Sequence, residues 1–224
     1  MTTSRENILA RVRGALGKSR SDDAAIAQAQ RYLAARAQGP RPRMPADLLT
    51  RFVSRANDME SSVDRVGARS DIPAAVRRYL DRLVQPPASE GFISNAGVCW
   101  PEFAALDWSG ARLDIEARPT VGQDRLGITG VFCAVAETGT LVLLSGADTP
   151  TATALLPETH VAVVAATRIV SGMEEAFALI RERGPLPRAI NFISGPSRTG
   201  DIEQTIVLGA HGPYRVHILV LTSE

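Results

Sequence analysis

The stretch Gly195-Pro196-Ser197-Arg198-Thr199-Gly200-Asp201-Ile202-Glu203 places one guanidinium, two hydroxyls and two carboxylates in a small-residue loop. It follows the apolar run Ala189 to Ile193 and is succeeded by Gly209-Ala210-His211-Gly212-Pro213. A turn needs glycine and proline for its backbone angles, but not that density of polar side chains, so the stretch reads as a binding site. A short helix or turn is expected over 201–208. Backbone N–H groups at its start, the Ser197 and Thr199 hydroxyls and the Arg198 fork together suit a carboxylate or phosphate. Asp201 is a natural N-cap for that helix. His211, beside Gly212 in an exposed loop, offers an acid, a base or a hydrogen-bond donor. The competing reading is structural: Ser197, Thr199 and Asp201 cap, and Arg198 pairs with a surface acid.

A second constellation is Ala136-Glu137-Thr138-Gly139-Thr140. It lies between two apolar runs, Val131 to Ala136 and Thr140 to Leu144, that form a tight hairpin. Glu137 is the candidate catalytic carboxylate, as nucleophile, general base or polar anchor. Gly139 permits positive φ and close approach to the backbone, and Thr138 and Thr140 add hydroxyls. The same residues also suit a plain solvated turn.

Several chemistries are excluded. The only lysine is Lys18, so no core lysine can form a Schiff base or reach nucleotide phosphates from a GxxxxGK[ST] loop. Cys99 and Cys133 lie far apart, with no CxxC and no adjacent His. They read as core thiols, and no metal-ligand spacing is recognisable. His160 and His217, at the start of a strand and inside one, read as structural. Gly127-Ile128-Thr129-Gly130 is expected to precede a strand, so it is no dinucleotide fingerprint. No apolar run approaches the roughly 20 residues of a membrane span. The polar N-terminus lacks a signal-peptide core, so the expected location is the cytoplasm. The net charge of +1 hides an asymmetry: residues 1–55 carry eleven of the 25 basic residues and four of the 24 acidic ones. That basic arm would suit nucleic acid, an acidic partner, or simply a solvated helical face.

The elements that position these groups alternate. Helices are expected over 4–17 with Ser4 as N-cap, 22–37, 47–55, 72–83, and 171–182 with Ser171 and Glu174 as a capping box. Gly39 to Pro45 is a linker. Strands are expected over 61–68, 91–94, 111–115, 131–136, 140–144, 161–165, 189–193 and 214–221. Alternation of this kind gives an α/β protein with a mostly parallel sheet, made partly mixed by the hairpin. Residues 1–58 form a basic helical segment and 59–224 the α/β domain.

In their order, Gly127-Ile128-Thr129-Gly130, Ala136 to Thr140, Gly195 to Glu203 and His211-Gly212-Pro213 resemble the LUD-domain family over roughly residues 60–224. The resemblance implies a fold similar to the NagB/RpiA/CoA-transferase group, a three-layer α/β/α sandwich preceded by N-terminal helices. It also implies a part in oxidising L-lactate to pyruvate, beside an iron–sulfur protein and a cysteine-rich partner. The iron–sulfur cluster would sit on a partner, with no cofactor in this chain. Whether this chain itself catalyses is left open. Glu137-Thr138-Gly139 further resembles the Glu-x-Gly of class I CoA transferases, which makes acyl transfer through Glu137 an alternative. A nucleic-acid-binding regulator acting through the basic arm is another.

Overall fold

The computed structural model describes residues 3–17, 23–84, 94–202, 205–209 and 211–223, with backbone alone at 199–202 and 205–208. The chain divides into two compact units, 1–43 and 44–224. The first holds α1 (Ser4–Ala15) and α2 (Asp23–Ala35). Thr3, not Ser4, caps α1: its hydroxyl accepts the Glu6 N–H, and the Glu6 carboxylate accepts the Thr3 N–H. Lys18 and the 91–93 part of the expected 91–94 strand lie outside the described residues.

The second unit begins with α3 (Leu48–Asp58), whose first turn is tied by Asp47 Oδ1 accepting the Thr50 N–H at 2.9 Å. Phe52 and Ala56 of α3 are fully buried in the main core. The α/β body therefore starts at Met44, inside the linker, rather than at residue 59. Truncating a buried Phe such as Phe52 to Ala costs ~3–5 kcal/mol.

The remaining elements are β1 (Ser62–Val66), α4 (Ile72–Val84), β2 (Ala96–Cys99), β3 (Asp114–Ala117), β4 (Leu126–Gly130), β5 (Cys133–Val135) and β6 (Thr140–Leu144). They are followed by α5 (Ala152–Leu155), β7 (Thr159–Ala165), β8 (Ile169–Val170), α6 (Met173–Glu182), β9 (Ile190–Ile193), β10 (Arg198–Ile202), β11 (Thr205–Leu208) and β12 (Arg215–Leu221). The main sheet runs β1-β12-β7-β4-β2-β3 with every pair parallel. Strands β4 and β12 are buried at every position, the pattern of parallel strands covered on both faces. The α/β class expected from the sequence is the observed one.

Four local readings change. Gly127 to Gly130 is itself part of a central strand, β4, rather than its prelude. Because β4 is already paired on both sides, by β2 and β7, the hairpin that follows cannot pair with it. It builds a separate sheet, β8-β5-β6-β9, so the mixed character lies there and not in the main sheet. Along β6 the side chains alternate: Leu141 and Leu143 enter the main core, while Val142 and Leu144 pack with Ala176 and Ile180 of α6. The short helix or turn expected over 201–208 is instead the antiparallel pair β10–β11, in keeping with the β-branched run Thr205-Ile206-Val207. Finally, α6 is capped one residue later than expected, by Gly172, whose N–H is accepted by Glu175.

His160 and His217 are buried in the main sheet. Thr129 Oγ1 lies 2.8 Å from His160 Nε2, and Ser62 Oγ lies 2.8 Å from His217 Nδ1. Burial pushes His160 down to about 3; it pushes His217 down to about 4, against the opposing pull of Asp64. Both sit below the ordinary 6.5, so the unfolded chain takes up protons first as the pH drops below that value. Stability is present above it and is lost on acidification at up to about 1.4 kcal/mol per pH unit for each histidine. The urea midpoint should fall between pH 6.5 and 4.5, with a shallower fall in His160→Gln; a midpoint independent of pH over that range would contradict this account.

Candidate functional site

The motifs singled out in the sequence meet at the last turn of α3. Gly139, at φ 70°, presses its open face on the helix backbone: a β-carbon there would stand 2.5 Å from Ala56 N and 2.6 Å from the Arg55 carbonyl carbon. Gly195, at φ 81°, does the same against the Met59 carbonyl oxygen, 2.0 Å from an added β-carbon. These glycines admit a helix, not a ligand. Between them runs a chain of hydroxyls: Thr138 Oγ1 to Thr140 Oγ1 at 2.7 Å, and Thr140 Oγ1 to Ser194 Oγ at 2.7 Å.

The Gly195 loop is fixed from three sides. The Ser197 N–H donates to Pro213 O, Ser197 O accepts the Gly209 N–H, and Gly212 packs on the Ser197 side chain. The two later motifs are thus in contact. Arg198 Nη2 pairs with Glu60 Oε2 at 2.8 Å and reaches Met59 O at 3.4 Å. Glu60 follows Met59, the C-cap of α3, with φ 63°, a conformation glycine usually supplies at this position. Holding a non-glycine residue there costs of order 1 kcal/mol. Glu137 stands at the hairpin turn, its N–H donating to Ser171 O. His211 is exposed. The side chains of Thr199 and Asp201 lie outside the described residues. Asp201 falls on β10, so the expected helix N-terminus is not part of the site.

A cavity of about 350 Å³ adjoins this junction, at the N-terminal ends of β1 and β12 under α4. Pro196 of the loop and Glu60, the partner of Arg198, form part of its wall. Its remaining polar lining comes from residues that sequence reasoning passed over: Ser62, Tyr79, Arg82, Tyr214 and Arg215. Arg215 is almost wholly buried, held by Thr159 Oγ1 at 3.2 Å and facing Glu158 at 3.9 Å. Arg82 pairs with Asp64 at 2.7 Å. The Tyr79 ring stacks on His217 at 3.9 Å, and burial raises the phenol's pKa. A charged residue opening an otherwise apolar strand was the available signal for Arg215. Two guanidiniums and the hydroxyl-bearing Ser62, Tyr79 and Tyr214 share this cavity with the Glu60 carboxylate, a donor set that suits an anion. Glu137 is not among the residues of this wall.

A second cavity, of about 370 Å³, opens at the carboxyl ends of β2 and β4, the usual ligand crevice of parallel sheets. It is lined by Trp100, Glu102, Phe132, Ile180 and Arg183 among others. Cys99 and Cys133 are buried, and burial raises each thiol to about 11, so both remain protonated. Among the described residues no group of three or more His, Cys, Asp and Glu converges to hold a metal. No helix among them is long and apolar enough to cross a membrane.

The class of protein defined so far is an α/β protein with a parallel six-stranded sheet and a small cavity at each end of it. Its family is given by residues 102–221, which match the LUD domain model. The chain belongs to the LUD-domain family. Among its relatives, lactate utilization protein C of Geobacillus sp. is 42% identical over 106 residues, covering 46% of this chain and 44% of that one. Lactate utilization protein C of Shouchella clausii is 30% identical over 169 residues, covering 74% and 68%. That of Bacillus subtilis is 41% identical over 106 residues, covering 46% and 44%. The chain spans about half the length of the Geobacillus and Bacillus relatives. The crystal structure of a DUF162 family protein from Deinococcus radiodurans shares the fold, with a TM-score of 0.55 at 23% identity over 81% of this chain and all of that one. Pro196, Tyr214 and Arg215 lie inside the matched stretch; Glu60, Ser62, Tyr79 and Arg82 precede it.

The packing of Gly195 on Met59 gives a direct test. Gly195→Ala should lower the melting temperature by about 5 °C or more, since a loss above ~2 kcal/mol is expected where clash and positive φ combine. Gly122→Ala, also at positive φ (84°) but in open space, should cost less. The opposite ranking would show that this contact does not hold the loop.

Proposed function

We propose that this chain is a non-redox component of an L-lactate utilisation system and holds a small carboxylate in the cavity between β1, β12 and α4. The observation that carries the reading is the convergence of Arg82, Arg215, Ser62 and Tyr79 on one cavity walled by Pro196 of the Gly195 loop. The relatives' name, lactate utilization protein C, supplies the substrate class.

Each guanidinium has five N–H donors, so one that binds a protein carboxylate or hydroxyl still has donors for a ligand. In this reading the ligand carboxylate sits on Arg82 and Arg215, and the hydroxyl of Ser62 meets its second carbon. The neighbouring Asp64 and Glu158 orient the arginines and limit the excess positive charge. Electron transfer is assigned to an iron–sulfur protein and a cysteine-rich partner, in keeping with the buried, protonated state of Cys99 and Cys133. The chain's task is then to bind and orient. Acyl transfer through Glu137 lacks comparable support, because the open face of Gly139 is filled by α3.

Calorimetric titration of the purified chain with L-lactate should show saturable binding. Arg82→Gln should weaken it about tenfold or more, the worth of a charge-assisted contact; the Arg82 side chain is 51% exposed, so the fold should survive the change. Absence of binding by L-lactate, pyruvate and propionate alike would overturn the proposal.

A further inference from the structure

The orientation of one hydroxyl in this cavity is set by groups behind it. Ser62 and Asp64 lie two apart on β1 and so share a face of the strand, and Ser62 pairs in register with His217 of β12. His217 is fully buried, with Nδ1 2.8 Å from Ser62 Oγ and Nε2 3.6 Å from Asp64 Oδ2. Burial keeps the ring neutral, so it carries one proton. With that proton on Nδ1, the Nε2 lone pair would face the Asp64 carboxylate across a buried gap. With it on Nε2, the N–H dipole points at the carboxylate. The gap is too long for a hydrogen bond and Nε2 has no other hydrogen-bond partner among the described residues, but the second arrangement is electrostatically favoured.

Nδ1 is then an acceptor, and Ser62 spends its single O–H on it. A serine oxygen retains two acceptor lone pairs. They are open to the cavity, which Ser62 lines as an exposed residue.

We infer that Ser62 is the specificity-determining residue of the carboxylate site, presenting an acceptor that selects a 2-hydroxy acid over the corresponding 2-oxo acid. The inference rests on the carboxylate-binding reading above. A hydroxyl on the second carbon donates to Ser62 Oγ. A carbonyl at the same carbon sets acceptor against acceptor and leaves both desolvated without a partner. A site built to pair a ligand hydroxyl rejects the analogue that lacks it far more strongly than a site that merely accommodates its shape. His217 acts as a positioning residue, through the Ser62 hydroxyl rather than on the ligand.

The experiment is titration of the full chain with L-lactate, pyruvate and propionate at constant pH and salt. L-Lactate should bind about tenfold or more tightly than pyruvate. In Ser62→Ala that ratio should fall to near one, and Ser62→Thr, which restores a hydroxyl, should recover it. If lactate and pyruvate bind the native chain equally, the carboxylate site stands and the assignment of Ser62 falls. If the preference survives in Ser62→Ala, the assignment also falls. Failure of all three acids to bind removes the site itself.

Discussion

Two glycines let separate turns rest directly on the end of α3, and the candidate site depends on that contact. Gly139 and Gly195 both hold left-handed backbone and both replace a side chain with helix backbone at van der Waals distance or closer. The helix they meet is anchored by Phe52 and Ala56 in the core. The second sheet is therefore gripped at one end by α3 and packed along its length against α6. The loop leaving β9 is set beside the N-terminal ends of β1 and β12, where Pro196 closes one wall of the cavity.

The parallel sheet does the remaining positioning. Pairing of β1 with β12 puts Ser62 opposite His217 and brings Asp64 within 3.6 Å of the far side of the ring. Burial of that histidine costs hydration, offset by the serine and the tyrosine stack, and it turns a flexible surface hydroxyl into one of fixed direction. Parallel sheets usually take ligands at their carboxyl ends. Here that end carries the cavity of Trp100, Phe132 and Ile180, with Arg183 as its guanidinium. The opposite end brings two guanidiniums together, against the single Arg183 beside Ser145 and Thr149 here.

Much of the fold was legible in the sequence because apolar runs of strand length alternate with helical periods. The apolar β7 and β12 and the amphipathic α4 and α6 are read almost at their observed bounds. The separate second sheet was not legible, because the sequence does not say that both edges of β4 are already taken. The β10–β11 hairpin was missed where an Asp in a glycine-rich loop resembled a helix cap. The site was legible in outline only. Pro196, Ser197 and Arg198 were singled out and do border or brace the cavity. The groups that line it are spread over β1, α4 and β12, and only tertiary pairing unites Ser62, Arg82 and Arg215. Gly139, read as a point of close approach to the backbone, turned out to admit a helix, a distinction no local pattern carries.

A crystal structure of the chain soaked in L-lactate tests the account most directly. The account places the carboxylate on Arg82 and Arg215 and the 2-hydroxyl within hydrogen-bonding distance of Ser62 Oγ. Lactate bound instead in the Trp100–Arg183 cavity at the other end of the sheet, with the Ser62 cavity holding only water, would contradict it.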